Sequence, residues 1–231
     1  MPDPSEIKQP TSGYRYSLDP FLLADFVPKV PAIRVADLGT GNGVLLRLLG
    51  KKFPDAGFIG VDIQHEPLVH AAENCALLRK SLLVRGDVRQ CASLLKKGAF
   101  DIVVSNPPYR KLSVGRLNPS VAKAIARHEL ALTLGQVVEA AAHLLKERGI
   151  LCIVHLAERS AELLGLMGEN GFAPQTVRFA YSREGEDAFV VMVCAVKGGK
   201  TPVKIRPPLV VYSGHGEYSP EMRRIYGAFD A

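Results

Sequence analysis

Apolar positions follow two alternating periods along the first half of the chain. A short apolar run at 33–38 leads through a turn rich in glycine into a segment, 44–49, whose apolar residues recur at helical spacing. Runs at 57–63, 81–84 and 100–104 repeat this strand-like pattern, with helical spacing between them. Such β-α-β alternation predicts a doubly wound, mostly parallel sheet.

The second half of the chain adds helices and two longer extended stretches. Helical spacing resumes after an insert, and the last two extended stretches are joined by a polar connection typical of a hairpin. The predicted elements are a helix through 130–145, a strand at 150–155, a helix at 158–170 and strands at 175–181 and 188–196. We therefore predict an α/β fold with a doubly wound, mostly parallel seven-stranded sheet and an antiparallel last strand.

Length and composition favour one domain that covers residues 1–231. An arm and leading helix occupy 1–31, and the helix is expected to begin at Asp19-Pro20 because proline suits a first helical turn. The core spans 32–196. The tail, 197–231, shows no second core, and its sequence does not decide whether it packs.

The charge balance points to a polyanionic partner. The chain has 29 Lys and Arg against 23 Asp and Glu, which gives a net charge of +6. Part of the excess lies in the insert 110–127, which contains no acidic residue. The basic side chains assigned there to substrate contact are Arg110, Lys111, Arg116, Lys123 and Arg127. The structural alternative for each of them is a place on a solvated basic helix face.

Cysteines, histidines and apolar runs argue against several other classes. The four cysteines are far apart and form no C-x-x-C pair, so we predict buried, reduced thiols. The histidines show no metal-ligand spacing, and we predict no metal. No apolar run approaches the length of a membrane span, and the polar start has no signal-like segment. A cytoplasmic protein without membrane contact is the expectation.

The turn after the first strand reads D-x-G-x-G-x-G from Asp37 to Gly43. A dinucleotide-binding turn would need its third glycine where Val44 stands, so the spacing argues against NAD or FAD. The turn resembles the first motif of class I S-adenosylmethionine-dependent methyltransferases. In that motif, exposed amides can meet the carboxylate of the cofactor. The residues assigned to the cofactor here are Asp37, Gly39, Thr40, Gly41, Asn42 and Gly43.

Two acids follow the next two predicted strands. Asp62 is placed to accept hydrogen bonds from both ribose hydroxyls, and Asp87 to accept one from the adenine amino group. We also assign the residues that follow them, Ile63 and Val88, to the cofactor site. Each acid alone would be read as a turn residue. Together with the glycine turn, they fall at the carboxyl edge, where open α/β sheets bind ligands.

The fourth predicted strand ends in Asn106-Pro107-Pro108-Tyr109. The structural alternative is a strand stopped by two prolines. The segment also resembles the N-P-P-Y motif of amino methyltransferases. That resemblance implies that the Asn106 side-chain oxygen and the Pro107 carbonyl accept the two hydrogens of a planar amine, while Tyr109 stacks on its base. We assign all four residues to catalysis, and we also assign Asn106 to the cofactor site.

Several further segments resemble the bacterial tRNA(Val) adenine-N6 methyltransferase family over nearly the whole chain. They are 13–19, 21–24, 116–119, 126–129, 198–200, 207–212 and 217–220. The resemblance implies S-adenosylmethionine-dependent methylation of adenine N6 in RNA, in tRNA near the anticodon. It also assigns Tyr16 to the cofactor site, although Tyr16-Ser17-Leu18-Asp19 departs from the usual Phe-Gly-Thr-Asp.

Two other functions remain open at this point. The N-P-P-Y motif also occurs in enzymes that methylate the amide of glutamine in proteins, so the motif alone does not choose the substrate. A non-catalytic RNA-binding module is a third reading. The acids and the Asn106 segment count against it, because binding alone has no evident need for them.

Overall fold

The computed structural model describes residues 18–31, 34–107, 132–200, 202–214 and 216–229. The chain begins there with α1 (Asp19–Phe26), which has proline in its first turn and buries nearly all of its residues. The predicted leading helix is confirmed. No described helix has the length and apolar character needed to cross a bilayer.

Nine strands form the main sheet, whose order is β3-β2-β1-β4-β5-β7-β6-β8, with β9 also paired to β6. The strands are β1 (Arg34–Leu38), β2 (Gly57–Asp62), β3 (Ser81–Arg85), β4 (Phe100–Ser105), β5 (Leu145–Leu156), β6 (Phe172–Tyr181), β7 (Ala188–Lys197), β8 (Lys204–Ile205) and β9 (Leu209–Val210). Strands β1 to β5 are parallel, and β7 is antiparallel to both of its neighbours. The predicted α/β class and the antiparallel seventh strand are confirmed.

Helices cover both faces of the sheet. They are α2 (Val44–Lys52), α3 (His65–Asn74), α4 (Cys91–Leu94), α5 (Leu134–Leu144), α6 (Ser160–Glu169) and α7 (Pro220–Gly227). Side chains of α1, α2 and α7 join one apolar cluster, and those of α4, α5 and α6 join the cluster on the opposite face. Both clusters include strand residues, so the sheet is buried on both sides, as parallel sheets usually are.

The strand count and several boundaries differ from the predictions. The tail adds two short strands along β6, which makes nine strands instead of seven and covers an edge that would otherwise be open. The helical spacing between the runs at 57–63 and 81–84 predicts a helix from about Glu66 to Arg79, but α3 ends at Asn74. Strand β5 begins at Leu145 rather than 150. The apolar pair at 144–145 is compatible with both helical and strand periodicity, and a register shift lets Leu145 pair with Phe100.

The prediction of four reduced thiols is wrong for one pair. Cys75 and Cys91 are buried and free, as expected. Cys152 and Cys194 face each other directly across β5 and β7 and are joined in a disulfide. Their separation of 42 residues in the sequence gave no sign of this contact, which arises only from the antiparallel register.

The described part of the tail packs on the rest of the chain. Leu209, Met222 and Ile225 are buried in the same cluster as α1 and α2. A small hairpin of β10 (Tyr212–Ser213) and β11 (Glu217–Tyr218) leads into α7. The division into arm, core and tail remains a prediction, but the tail shares its apolar contacts with the core.

Two lysines at the end of α2 hold the ends of two other helices. Lys52 Nζ donates hydrogen bonds to the carbonyl oxygens of Ala24 and Asp25, at 2.9 and 3.0 Å, and to that of Val27. Lys51 Nζ donates to the carbonyl oxygen of Phe229 at 2.6 Å, just beyond α7. These ammonium groups satisfy carbonyls that a helix leaves without internal partners at its carboxyl end.

A buried arginine also joins the tail to the sheet. Arg178 lies on β6 with a side chain only 5% exposed, and its Nη2 contacts Glu221 Oε2 of α7 at 2.8 Å. Its Nε donates to the carbonyl oxygen of Pro207 at 2.9 Å. One guanidinium therefore fixes two separate parts of the tail.

We predict that Arg178→Met destabilises the protein by about 2–3 kcal/mol, because it removes a buried cation and leaves Glu221 and the Pro207 carbonyl without this partner. Chemical denaturation should report the lower free energy of unfolding, and limited proteolysis should cut the tail sooner. The matched control is Arg183→Met, since Arg183 pairs with Glu186 on the surface, where an ion pair contributes less than about 1 kcal/mol. Equal effects of the two substitutions would contradict the prediction.

Candidate active site

Four polar strand ends meet along one edge of the sheet. Strands β3, β2, β1 and β4 are parallel neighbours in that order, so their carboxyl ends lie side by side. Asp62 is the last residue of β2, and Asp87, the glycine turn and Asn106 come after β3, β1 and β4. Since neighbouring strands are about 4.8 Å apart, the four features share one continuous surface. The prediction that they fall on the same edge is confirmed.

The glycine turn is folded tightly against β2. Gly39, Gly41 and Gly43 all have positive φ, at 77°, 53° and 73°. The amides of Gly39 and Thr40 donate to the Val61 carbonyl oxygen at 2.9 and 3.0 Å.

The remaining described bonds of the turn complete the same network. The Gly43 amide donates to the Thr40 carbonyl, and the Gly41 amide to Asp62 Oδ2 at 2.8 Å. The expectation that exposed amides of the turn meet the carboxylate of a cofactor is therefore wrong for these four amides. They shape the turn by bonding within the protein.

The glycines serve two different packing needs. A Cβ added to Gly39 or Gly41 would have nothing within 4 Å, so the turn borders open space at these positions. A Cβ at Gly43 would lie 3.0 Å from both Ala71 Cβ and Cys75 Sγ. The first two glycines thus leave room beside the backbone, whereas the third lets α3 pack closely on the start of α2.

Asp62, the acid at the end of β2, already has two hydrogen-bond partners within the protein. Asp62 Oδ2 accepts from the Gly41 amide and Oδ1 from the Gln64 amide, at 2.8 and 2.9 Å. Each carboxylate oxygen can accept a second hydrogen bond, so capacity for hydroxyl donors remains. Ile63 follows with 46% of its surface exposed, which is unusual for isoleucine and leaves an apolar face at this edge.

The acid after β3 is held by a neighbouring arginine. Asp87 Oδ1 accepts from the amide and Nε of Arg89, and Oδ2 accepts from its guanidinium. These bonds to Arg89 lower the pKa of Asp87, which is ionised at neutral pH. An adenine amino group would have to share this carboxylate with Arg89. Val88, the next residue, is buried.

Asp37 is the most unusual group of the site. Its side chain is buried, with 1% exposure, and neither carboxylate oxygen has a hydrogen-bond partner among the described residues. Burial raises its pKa from 3.8 to about 7; the nearby Thr40 hydroxyl opposes this rise and the charge of Asp62 adds to it. Thr40 Oγ1 is near enough to act on the carboxyl, yet it lacks a well-formed hydrogen bond in the described structure.

Asn106 is tied to the turn through its neighbour. Ser105 is fully buried, and its Oγ donates to the Leu38 carbonyl oxygen at 2.6 Å, which joins the ends of β4 and β1. Asp37 of β1 pairs with Val104 of β4, so Gly39 and Asn106 each lie two residues beyond this pair and one residue beyond the end of their strand. Sequence reasoning assigned no role to Ser105, although it directly precedes Asn106.

Several predicted site residues lie outside the described part of the chain. Asn106 and Pro107 are described, as are all the cofactor residues assigned on the first three strand ends. The positions outside are Tyr16, Pro108, Tyr109, Arg110, Lys111, Arg116, Lys123 and Arg127. Among the described residues, no group of three or more His, Cys, Asp or Glu side chains could hold a metal ion.

Sequence comparison identifies the family. The family described as "Methyltransferase small domain" matches residues 19–171, about two thirds of the chain. The chain belongs to this family. Two similar relatives, both named tRNA1(Val) (adenine(37)-N6)-methyltransferase, come from Pedobacter heparinus and Porphyromonas gingivalis. The first is 26% identical over 93% of this chain and 90% of its own, and the second 30% identical over 68% and 65%.

Solved structures agree with this methyltransferase fold. An Agrobacterium tumefaciens protein described as a predicted O-methyltransferase superposes with a TM-score of 0.74 at 22% identity and covers 92% of this chain and 97% of its own. A SAM-dependent methyltransferase from Aquifex aeolicus gives a TM-score of 0.57 at 18% identity, with 84% and 98% covered. At these identities the likeness concerns the fold.

The protein is thus an S-adenosylmethionine-dependent methyltransferase, and its described residues fit that cofactor. The Asp37 oxygens and the Thr40 hydroxyl are buried polar atoms without a hydrogen-bond partner among the described residues, and they suit a cationic ammonium group. Open space at Gly39 and Gly41 leaves room for the ligand. Asp62 retains acceptor capacity for hydroxyls, and Ile63 offers an apolar surface for a planar ring.

We predict that Asp37→Asn stabilises the ligand-free methyltransferase at pH 8. Asp37 binds its proton more tightly in the folded chain than in the unfolded one, so the free energy of unfolding falls as pH rises from about 4 to about 7. An amide of the same shape does not titrate. A pKa that moves from 3.8 to about 7 can change the free energy of unfolding by at most about 4 kcal/mol.

Denaturation at pH 5, 6, 7 and 8 should show that the stability difference between the variant and the wild type grows up to about pH 7 and then levels off. Asp55→Asn is the control, because the Asp55 side chain is 89% exposed. A difference that is constant with pH would show that the Asp37 carboxyl does not titrate in this window.

Proposed function

We propose that this methyltransferase acts on the N6 amine of adenine in tRNA, at the nucleotide 3′ of the anticodon. Sequence similarity supports the proposal, because relatives named for this reaction on tRNA1(Val) are similar over about nine tenths of both chains. The observation that carries the chemistry is the position of Asn106 and Pro107 at the end of β4, next to the glycine turn of the cofactor site.

The Asn106 segment supplies acceptors for a planar amine. The Asn106 side-chain oxygen and the Pro107 carbonyl oxygen each accept a hydrogen bond from one N–H of the amine. The nitrogen lone pair then points away from both oxygens. An exocyclic amine conjugated with a purine is a poor nucleophile. Two directed acceptors favour its pyramidal form and stabilise the positive charge that develops on nitrogen.

S-adenosylmethionine, when bound, supplies a methyl group activated by a sulfonium sulfur. The protein needs to bring the amine in line with that methyl group, and the Ser105 bond to Leu38 fixes the separation of the two strand ends for this purpose. A strong general base is not required, because the methylated ammonium is itself acidic. In this proposal Asp37 pairs with the ammonium of the cofactor, Asp62 with ribose and Asp87 with adenine.

The remaining assignments concern the RNA. Tyr109 stacks on the target base, and the basic side chains of 110–127 contact phosphates, which position RNA without reading its sequence. A loop base suits such a site, because it can leave its stack at little cost. The cytoplasm, where tRNA is abundant, is the proposed location.

Transfer of labelled methyl groups tests the substrate. The protein is incubated with tritiated S-adenosylmethionine and, in parallel, with total tRNA, rRNA, DNA and protein from cells deficient in methylation. We expect label in tRNA and N6-methyladenosine after nucleoside analysis. Label in protein alone would replace the proposal with methylation of a glutamine amide, and label in rRNA or DNA alone would move it to another nucleic acid.

We predict that Asn106→Ala lowers turnover on tRNA by at least about a hundredfold, because one of two acceptors for the developing charge is lost. Affinity for S-adenosylhomocysteine, measured by calorimetry, should change by less than about threefold, since most of the predicted cofactor contacts lie on the other strand ends. Turnover within a few-fold of the wild type would remove Asn106 from the reaction. Asn170→Ala, at the end of α6, controls for the loss of an asparagine.

A further inference from the structure

A side chain of α3 holds the glycine turn from outside the predicted site. Asn74 is the last residue of α3 and is 4% exposed. Its Nδ2 donates to the carbonyl oxygen of Asn42, in the middle of the turn, at 2.8 Å. None of the motifs that identify the site includes Asn74, which lies 32 residues from Asn42 in the sequence.

Asparagine is a costly choice at this position. It has a low helix propensity, and a buried amide destabilises the fold unless its polar atoms have partners. An apolar residue would fill the space between α3 and the turn without either cost. The hydrogen bond to Asn42 gives the amide a partner and gives the turn a fixed point.

The Asn74 hydrogen bond is one of three contacts, called ties below, that hold consecutive residues of the turn. The Gly41 amide donates to Asp62 Oδ2, Asn74 Nδ2 donates to the Asn42 carbonyl, and Cys75 Sγ lies 3.6 Å from the Gly43 carbonyl oxygen. Burial raises the pKa of the Cys75 thiol to about 12, so it keeps its proton for this contact. All three partners belong to β2 and α3 or follow α3 directly.

These ties act on the part of the turn that borders the cofactor space. Asn42 stands between Gly41, which faces open space, and Gly43, which is packed against α3. Asp37, whose buried carboxyl suits an ammonium group, precedes the same turn. A change in the Asn42 peptide would therefore move the backbone next to the charged, amino-acid end of the cofactor, and leave the strand ends that carry Asp62 and Asp87 in place.

We propose that Asn74 is a positioning residue, which holds the Asn42 peptide so that the glycine turn fits the amino-acid end of S-adenosylmethionine. The proposal rests on membership of the methyltransferase family and does not depend on which substrate is methylated. Asn74 touches neither cofactor nor substrate in this role. It acts through the backbone of the turn.

The test compares two ligands that differ in the relevant end. S-adenosylhomocysteine carries the amino-acid end, and 5′-methylthioadenosine lacks it. For Asn74→Ala we expect calorimetry to give about tenfold weaker binding of S-adenosylhomocysteine, the upper range for one lost hydrogen bond, and unchanged binding of 5′-methylthioadenosine. In kinetics, the KM for S-adenosylmethionine should rise with little change in kcat.

The chain offers a matched control. Asn170 Nδ2 donates to the Leu166 carbonyl oxygen at 2.9 Å, so Asn170→Ala removes the same kind of hydrogen bond at the end of α6. Both variants should lose similar thermal stability, and only Asn74→Ala should lose affinity for S-adenosylhomocysteine. Asn74→Asp, which keeps the shape but loses the amide donor, should bind that ligand at least as weakly as Asn74→Ala.

Two results would overturn the proposal. Equal weakening of both ligands by Asn74→Ala would show a general loss of structure, and unchanged binding of S-adenosylhomocysteine would show that the tie does not position the turn. Neither measurement contains RNA. A failure of tRNA methylation would therefore leave this inference standing, and a failure here would leave the substrate proposal standing.

Discussion

The parallel pairing of β1 with β2 on one side and with β4 on the other is the constraint on which the rest of the structure depends. It brings three carboxyl ends to one place, and the sheet is buried on both faces there. Polar groups that follow these strands must therefore lie close together. The Ser105 bond to the Leu38 carbonyl fixes the separation of two of these ends within the core, where water cannot compete for it.

Burial of Asp37 lowers the stability of the folded protein at this site. Asp37 has no hydrogen-bond partner within the part of the chain that the structure describes, and burial raises its pKa to about 7, which favours the neutral carboxyl. A cation that enters beside it regains the Coulomb attraction that burial has strengthened. The backbone of the turn beside it is held by hydrogen bonds, since its described amides donate to acceptors on β2 and to the Thr40 carbonyl. The Asp37 side chain therefore destabilises the fold, while hydrogen bonds hold the backbone of the glycine turn next to it.

Local sequence was enough for the order of strands and helices in the core and for the shared edge of Asp62, Asp87 and Asn106. Both follow from periodicity and from the geometry of β-α-β units. Contacts between distant segments were not predictable in this way. The Asn74 bond to Asn42, the pairing of Cys152 with Cys194 and the packing of the tail depend on register and helix orientation, which single-residue patterns do not encode. The amides of the turn were misjudged because three of them donate to Val61 and Asp62, which lie on another strand.

The two lysines that end α2 bring the first and last described helices to the same point, and this affects the order of folding. Asp25 and Arg224, which pair beside them, are 199 positions apart in the sequence. During synthesis, the apolar face of α1 has to wait for α7 before its final cover is in place. Contacts of such long range close slowly and late. Part of the apolar surface of α1 therefore gains its cover only when α7 packs against it.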